Sequence, residues 1–182
     1  YFSVIRAGAF NIPFAFQIDQ LASIFLLIIT GVGFLIHVYS TSYMHEEKTE
    51  HFGRYFAYLN LFVFSMLLLV MGANYVIMFI GWEGVGLCSY LLIGYYYDKD
   101  FAANAGRKAF VVNRIGDFGF LIAMFLMFTH VGSVDFRRVT EAAAGGGVSH
   151  GVLAAICLLL FLGACGKSAQ IPLFVWLPDA MA

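Results

Sequence analysis

Charge is what this sequence has least of. Lys and Arg number 10 and Asp and Glu 11 among 182 residues, so charged side chains make up 12%, against about 25% in a soluble domain. That excludes a water-soluble globule, and a net charge of −1 offers no attraction to nucleic acid or another polyanion. Proline is scarce too, at three residues, which leaves long stretches free to be helical. The three cysteines, Cys88, Cys157 and Cys165, stand in apolar runs without CxxC spacing and read as small packing residues. There is no HExxH, no Cys/His ligand spacing, no GxGxxG after a strand and no Walker loop. No zinc, haem, iron–sulfur or NADH site is therefore expected in the chain itself.

What is present is apolar and aromatic. Hydrophobic residues reach 62%, with 20 Phe and 10 Tyr, and several Tyr lie at the ends of apolar runs, as in interfacial belts. The longest such region, Tyr55 to Tyr97, has Glu83 as its one formally charged side chain. It is too long for one membrane crossing and suits two, with Gly72-Ala73-Asn74 as the turn between them. Extending this reading predicts an all-α, polytopic bundle of five spans, at 21–40, 55–71, 75–96, 105–130 and 151–177. An interfacial lead-in over 1–18 precedes one transmembrane domain over 19–182, with Asp19 as N-cap of the first span. The last span is expected to be discontinuous, because Gly163, Gly166, Pro172 and Pro178 interrupt it. The loop 45–54 reads as solvated, and 131–150 as a connector. Five basic residues on one side, against three on the other, give the first side a weak cytoplasmic bias. A start without Met and an end soon after Pro178 are expected of a piece of a longer polypeptide.

Ionisable groups inside the spans are the candidate site. Counted from Tyr75, Glu83 lies roughly 12 Å into its helix at about 1.5 Å per residue. An acidic residue at such depth costs about 2.5–3.5 kcal/mol and is as a rule functional. Gly81, Gly84, Gly86, Cys88 and Ser89 around it would let a neighbouring helix come close. Arg114 and Asp117, three apart, share a helix face as an ion pair; a structural pair and a member of a charge network remain equal readings. Arg107 and Lys108 read as anchors snorkelling to the interface. Lys167 sits at the expected helix break, with apolar Ile171 to Leu177 continuing past it. His37, near the end of the first span, is either a satisfied interfacial group or a proton relay. Together these residues form the inventory of a proton path: desolvation favours neutral acid and amine, whereas bringing the two together favours their charged forms.

The runs FIGWEGVGLCSYLLIGYYYDKDFAANAGRKAFVVNRIGDFGFLIA and FLGACGKSAQIPLFVWLPDAMA resemble the antiporter-like subunit L (subunit 5) family of proton-pumping NADH:quinone oxidoreductase, respiratory complex I. Weaker similarity extends to the multisubunit sodium/proton antiporters. The resemblance implies that Glu83 and Lys167 form the glutamate–lysine pair of a first proton half-channel, with Arg114 and Asp117 linked to it. It implies an inverted-repeat design whose second repeat this chain lacks, so the chain alone would not complete the path. It also implies that FMN, iron–sulfur clusters and quinone are bound by other subunits. The partners would be membrane-arm subunits, lipid and protons, with no nucleic acid, in a bacterial inner membrane or, alternatively, the mitochondrial inner membrane. The chain would then belong to an enzyme complex without holding a redox site. A sodium/proton antiporter subunit is the rival reading, and a structural scaffold the second.

Overall fold

The computed structural model describes residues 2–7 and 10–181. Tyr1, Gly8 and Ala9 of the expected lead-in, and Ala182 at the end of the expected domain, lie outside the described residues. The described residues form five helices long and apolar enough to cross a membrane.

Helix α1, Gln20–Tyr43, starts where Asp19 accepts a hydrogen bond from Ala22 N at 2.8 Å. Its 24 residues extend about 36 Å at about 1.5 Å per residue, enough for a hydrocarbon core of about 30 Å. Helix α2, Thr49–Met71, returns to the tight turn at Gly72. The buried Asn74 then caps helix α3, Tyr75–Ile93, by accepting from Val76 N and Ile77 N. Helix α4 spans Asp100–Val131 and ends in a left-handed residue, Gly132, with φ 72°, a backbone state glycine adopts without penalty. Helix α6, His150–Lys167, is capped by Ser149.

Two elements lie where the sequence predicted none. Strands β1, Ser3–Ala7, and β2, Phe10–Pro13, pair antiparallel as a hairpin in the lead-in. Helix α5, Phe136–Ala144, occupies the stretch expected as a connector, with Asp135 accepting from Arg137 N and Arg138 N. The start of α4 is also earlier than the expected Ala105, at Asp100.

The hairpin and the 72–75 turn knit one end of the bundle. Asn74 Nδ2 donates to Pro13 O at 3.0 Å, Ala73 N to Ala15 O, Gln17 N to Met71 O, and Tyr75 N to Val134 O. Below that knot Ile12, Val134, Val139, Ala123, Met127 and Ile156 form a buried cluster. Helix α4 packs mainly on α6 and α3, and α2 on α3, whereas α1 packs chiefly on α2. The α4–α6 seam is close because glycines face each other: a Cβ at Gly116 would come 3.2 Å from Gly166 Cα and Leu162 O.

Candidate functional site

Helix α6 stops at Lys167, well short of residue 177. Ser168 caps it, Ala169 takes φ 51°, and turns follow to a short 3-10 turn at Asp179–Met181. The helix end is not left bare. Gln170 N donates to Cys165 O at 3.0 Å and Trp176 Nε1 to Gly166 O at 3.0 Å, satisfying carbonyls that the ladder no longer reaches. Lys108 Nζ pairs with Asp179 Oδ2 at 2.7 Å, tying the segment after the break to α4. Arg107 donates to Asn104.

The break brings Lys167 to the face where α3 and α4 meet. Arg114 of α4 crosses to α3 and donates from Nη1 to Glu83 Oε2. The same Nη1 lies 3.8 Å from Asp117 Oδ2, so the pair expected along one helix is the looser of its two partnerships. Asp117 is only 2% exposed. Its other oxygen, Oδ1, accepts from Trp82 Nε1 at 2.6 Å. The guanidinium also lies over the Phe110 ring, at 4.7 Å, a cation–π distance.

Lys167 Nζ is buried and makes no hydrogen bond or ion pair among the described residues. It lies 5.9 Å from the centroid of the Trp82 ring. A Cβ at Gly86 would come 2.6 Å from it, so the ammonium uses the space that a side chain at position 86 would fill. Glu83 Oε1 is likewise buried without a hydrogen-bond partner. The glutamate and lysine singled out by the resemblance therefore share a neighbourhood without a direct ion pair. Glu83 is held by Arg114, and Lys167 stands unpaired beside the indole.

His37 is not brought to this cluster. Its Nδ1 donates to Gly33 O one turn back at 2.7 Å, and its ring lies 6.1 Å from Phe56 between α1 and α2. Conversely, sequence reading missed Trp82. A signal was present: a Trp inside an apolar helix needs an acceptor for its N–H, and Glu83 beside it points to a polar neighbourhood. Asn113, 7% exposed with Oδ1 unpartnered, was also missed; it lies one turn before Asp117. No group of three or more His, Cys, Asp or Glu that could hold a metal occurs among the described residues. Cys88 and Cys165 are buried and Cys157 is exposed, all as free thiols.

Chemically, the site is an alternating string. Carboxylate, guanidinium and carboxylate run from Glu83 through Arg114 to Asp117, with an indole and an unpaired ammonium alongside. In it Arg114 is the group within reach of two acids, bonded to Glu83 and 3.8 Å from Asp117.

Two family models match the chain. The family described as "NADH:quinone oxidoreductase/Mrp antiporter, TM" matches residues 72–182. The family described as "NADH-Ubiquinone oxidoreductase (complex I), chain 5 N-terminus" matches residues 4–56. The NADH-quinone oxidoreductase subunit L of Mycobacterium tuberculosis is 53% identical over 180 residues, covering 99% of this chain and 28% of that protein. The subunit L of Escherichia coli is 48% identical over 179 residues, covering 98% and 29%. The chain thus spans under a third of the length of these relatives. A chain in the solved Mrp complex of Dietzia sp. DQ12-45-1b superposes with a TM-score of 0.81 at 31% identity, over 90% of this chain and 18% of that one.

Proposed function

The chain belongs to the NADH:quinone oxidoreductase/Mrp antiporter transmembrane family, and we propose that it serves as a proton-translocating membrane part of an NADH:quinone oxidoreductase. It is a multi-pass membrane protein, and its bacterial relatives support an inner-membrane site. In this reading NADH oxidation and quinone reduction, with FMN and iron–sulfur clusters, take place on other subunits, and this part couples their energy to proton movement.

The observation that carries the reading is the meeting of Glu83, Arg114, Asp117 and Lys167 where α6 breaks. Glu83 is the group that takes and releases the proton. Its Oε2 is held by Arg114 while Oε1 is free, so Oε1 is the atom that accepts. A proton there cancels the charge that Arg114 pairs with, and the guanidinium has Asp117 Oδ2 3.8 Å away as its second partner. Lys167 sets the direction. An ammonium moved towards Glu83 favours the carboxylate and expels the proton, and one withdrawn favours reloading. The turns after Lys167 supply the freedom for that movement. A charge left unpaired at this depth costs about 2.5–3.5 kcal/mol, which keeps the exchange of partners tightly linked to the proton.

The test uses the full-length parent in its native membrane. Proton pumping driven by NADH is compared for wild type, Glu83→Gln and Lys167→Ala after each is shown to assemble. Loss of pumping with assembly intact is expected; retained pumping in Glu83→Gln overturns the proton path, and retained pumping in Lys167→Ala alone overturns the role of Lys167. The likeness to a chain of an Mrp complex favours one second reading, a subunit of a multisubunit sodium/proton antiporter. Sodium/proton exchange in wild-type membranes without NADH-driven pumping would establish it instead.

A further inference from the structure

Trp82 adjoins Glu83 in sequence but makes its own contacts elsewhere. Its Nε1 donates to Asp117 Oδ1 at 2.6 Å. Its ring packs 5.4 Å from Phe120, and Lys167 Nζ lies 5.9 Å from its centroid. One side chain therefore touches the buried acid with its edge and the unpaired ammonium with its face. Resting on the proton-path reading, we propose that Trp82 is a positioning residue of that path, fixing the Asp117 carboxylate and holding Lys167 off Glu83 until it moves.

The geometry requires such a group. Asp117 is 2% exposed, and a carboxylate so buried persists only with donors aimed at it. Arg114, at 3.8 Å, is beyond hydrogen-bonding range, so among the described residues the indole N–H is the donor to this carboxylate. With Asp117 fixed, Arg114 divides itself between one stationary acid and one that exchanges its proton. With Asp117 free to swing, the guanidinium can hold both acids at once, and Glu83 loses its reason to release. The aromatic face acts on the other side. A cation within about 6 Å of a Trp face is attracted to it, which gives Lys167 a resting place that is not a carboxylate.

The experiment measures protons pumped per NADH oxidised in the full-length parent complex, for Trp82→Phe and for benzothienylalanine placed at position 82. Benzothienylalanine keeps the shape of the indole and replaces its N–H with sulfur. Glu83→Gln serves as the reference. Assembly and NADH:quinone turnover at wild-type levels, with the pumping ratio down about tenfold in both position-82 variants, is expected for the loss of a hydrogen bond to a charged group. A purely structural Trp82 would instead reduce assembly and turnover together in Trp82→Phe and leave the isosteric variant as wild type, which overturns the proposal. Wild-type pumping in both variants, while Glu83→Gln pumps nothing, overturns the role of Trp82 alone. Wild-type pumping in Glu83→Gln overturns the proton path on which it rests.

Discussion

Helices α1 and α4 are both long and apolar, yet they are built for opposite surroundings. Along α1 only Ala22 and Ser40 are buried, and Leu21, Leu27, Phe34, Leu35 and Tyr39 are each more than 60% exposed. Along α4 twelve residues are buried, among them Asn113, Asp117 and seven glycines or alanines, of which Gly106 lies against the end of α3 and Gly116 and Gly119 against α6. The first is apolar on most of its sides and packs chiefly on one neighbour, α2. The second alternates small, polar and charged residues because its surroundings are other helices. Hydropathy alone does not distinguish them. What distinguishes them is small residues, which allow close approach, and polar residues, which make sense only when a partner helix is within reach.

Five experiments would break or sharpen this contrast. The largest effect is expected from Gly116→Leu. Its side chain would be driven into Gly166 and Leu162 across the α4–α6 seam, where overpacking costs about 1–3 kcal/mol or more. The assembled complex should melt several degrees lower and pump less. A wild-type melting curve would mean that the seam is looser than described. Next comes Asp117→Ala, which leaves the Trp82 N–H buried without its acceptor, a loss of about 1–3 kcal/mol. Asp117→Asn, which keeps an oxygen for the indole, should recover most of that stability without recovering pumping.

On the other side of the comparison, His37→Phe on α1 should leave proton pumping within about twofold of wild type, since its ring bonds to its own helix. A loss like that of Glu83→Gln would extend the path to α1 and end the contrast. Gly31→Leu, in the same helix and facing open space, should shift stability by less than about 0.5 kcal/mol.

The smallest effect lies outside the membrane, in the turn after α3, where Tyr96 donates to Glu47 Oε1 at 2.7 Å. That bond holds the Glu47 carboxyl below its usual range and, with burial adding to it, pushes the Tyr96 phenol up to about 12. The signs differ. The phenol is raised above its unfolded value of about 10, so its contribution is full below pH 10 or so and fades as pH rises through 12. The carboxylate is lowered below an unfolded value of about 4.3, so its contribution is present above that pH and fades on acidification. Tyr96→Phe should remove the phenol's contribution and the part of the carboxylate's that rests on it, His51 supplying the next part, giving a stability difference from wild type that is flat at neutral pH and shrinks at either extreme. A difference independent of pH would separate the two groups.

The number of spans was legible because run length and the lack of charge suffice to count them, and Asp19 announced the first start; their ends were less so, since α2 begins at Thr49, inside the expected loop, and α6 stops at Lys167. The hairpin was not. Ser3–Ala7 and Phe10–Pro13 are short and sit among Gly and Ala, and what stabilises them is the turn at Ala73 and Asn74 about sixty residues away. Helix α5 hid in an Ala/Gly-rich stretch, although Asp135 before FRRVTEAAA is an N-cap before helix formers. At the site, the residue types were readable and their pairing was not. Spacing favours Arg114 with Asp117, but the long arginine side chain reaches Glu83 on another helix, and Asp117 turns to Trp82. Which acid a flexible cation chooses is settled by helix packing, which no local pattern encodes.

The length of α4 has a mechanical consequence. Its 32 residues extend about 48 Å at about 1.5 Å per residue, well beyond a core of about 30 Å. It is gripped near both ends, by Asp179 at Lys108 and by the cluster around Val134. A rod held in this way would act as a lever: a displacement of the chain beyond Lys167 would pull on α4 at Lys108, six residues, about 9 Å, from Arg114.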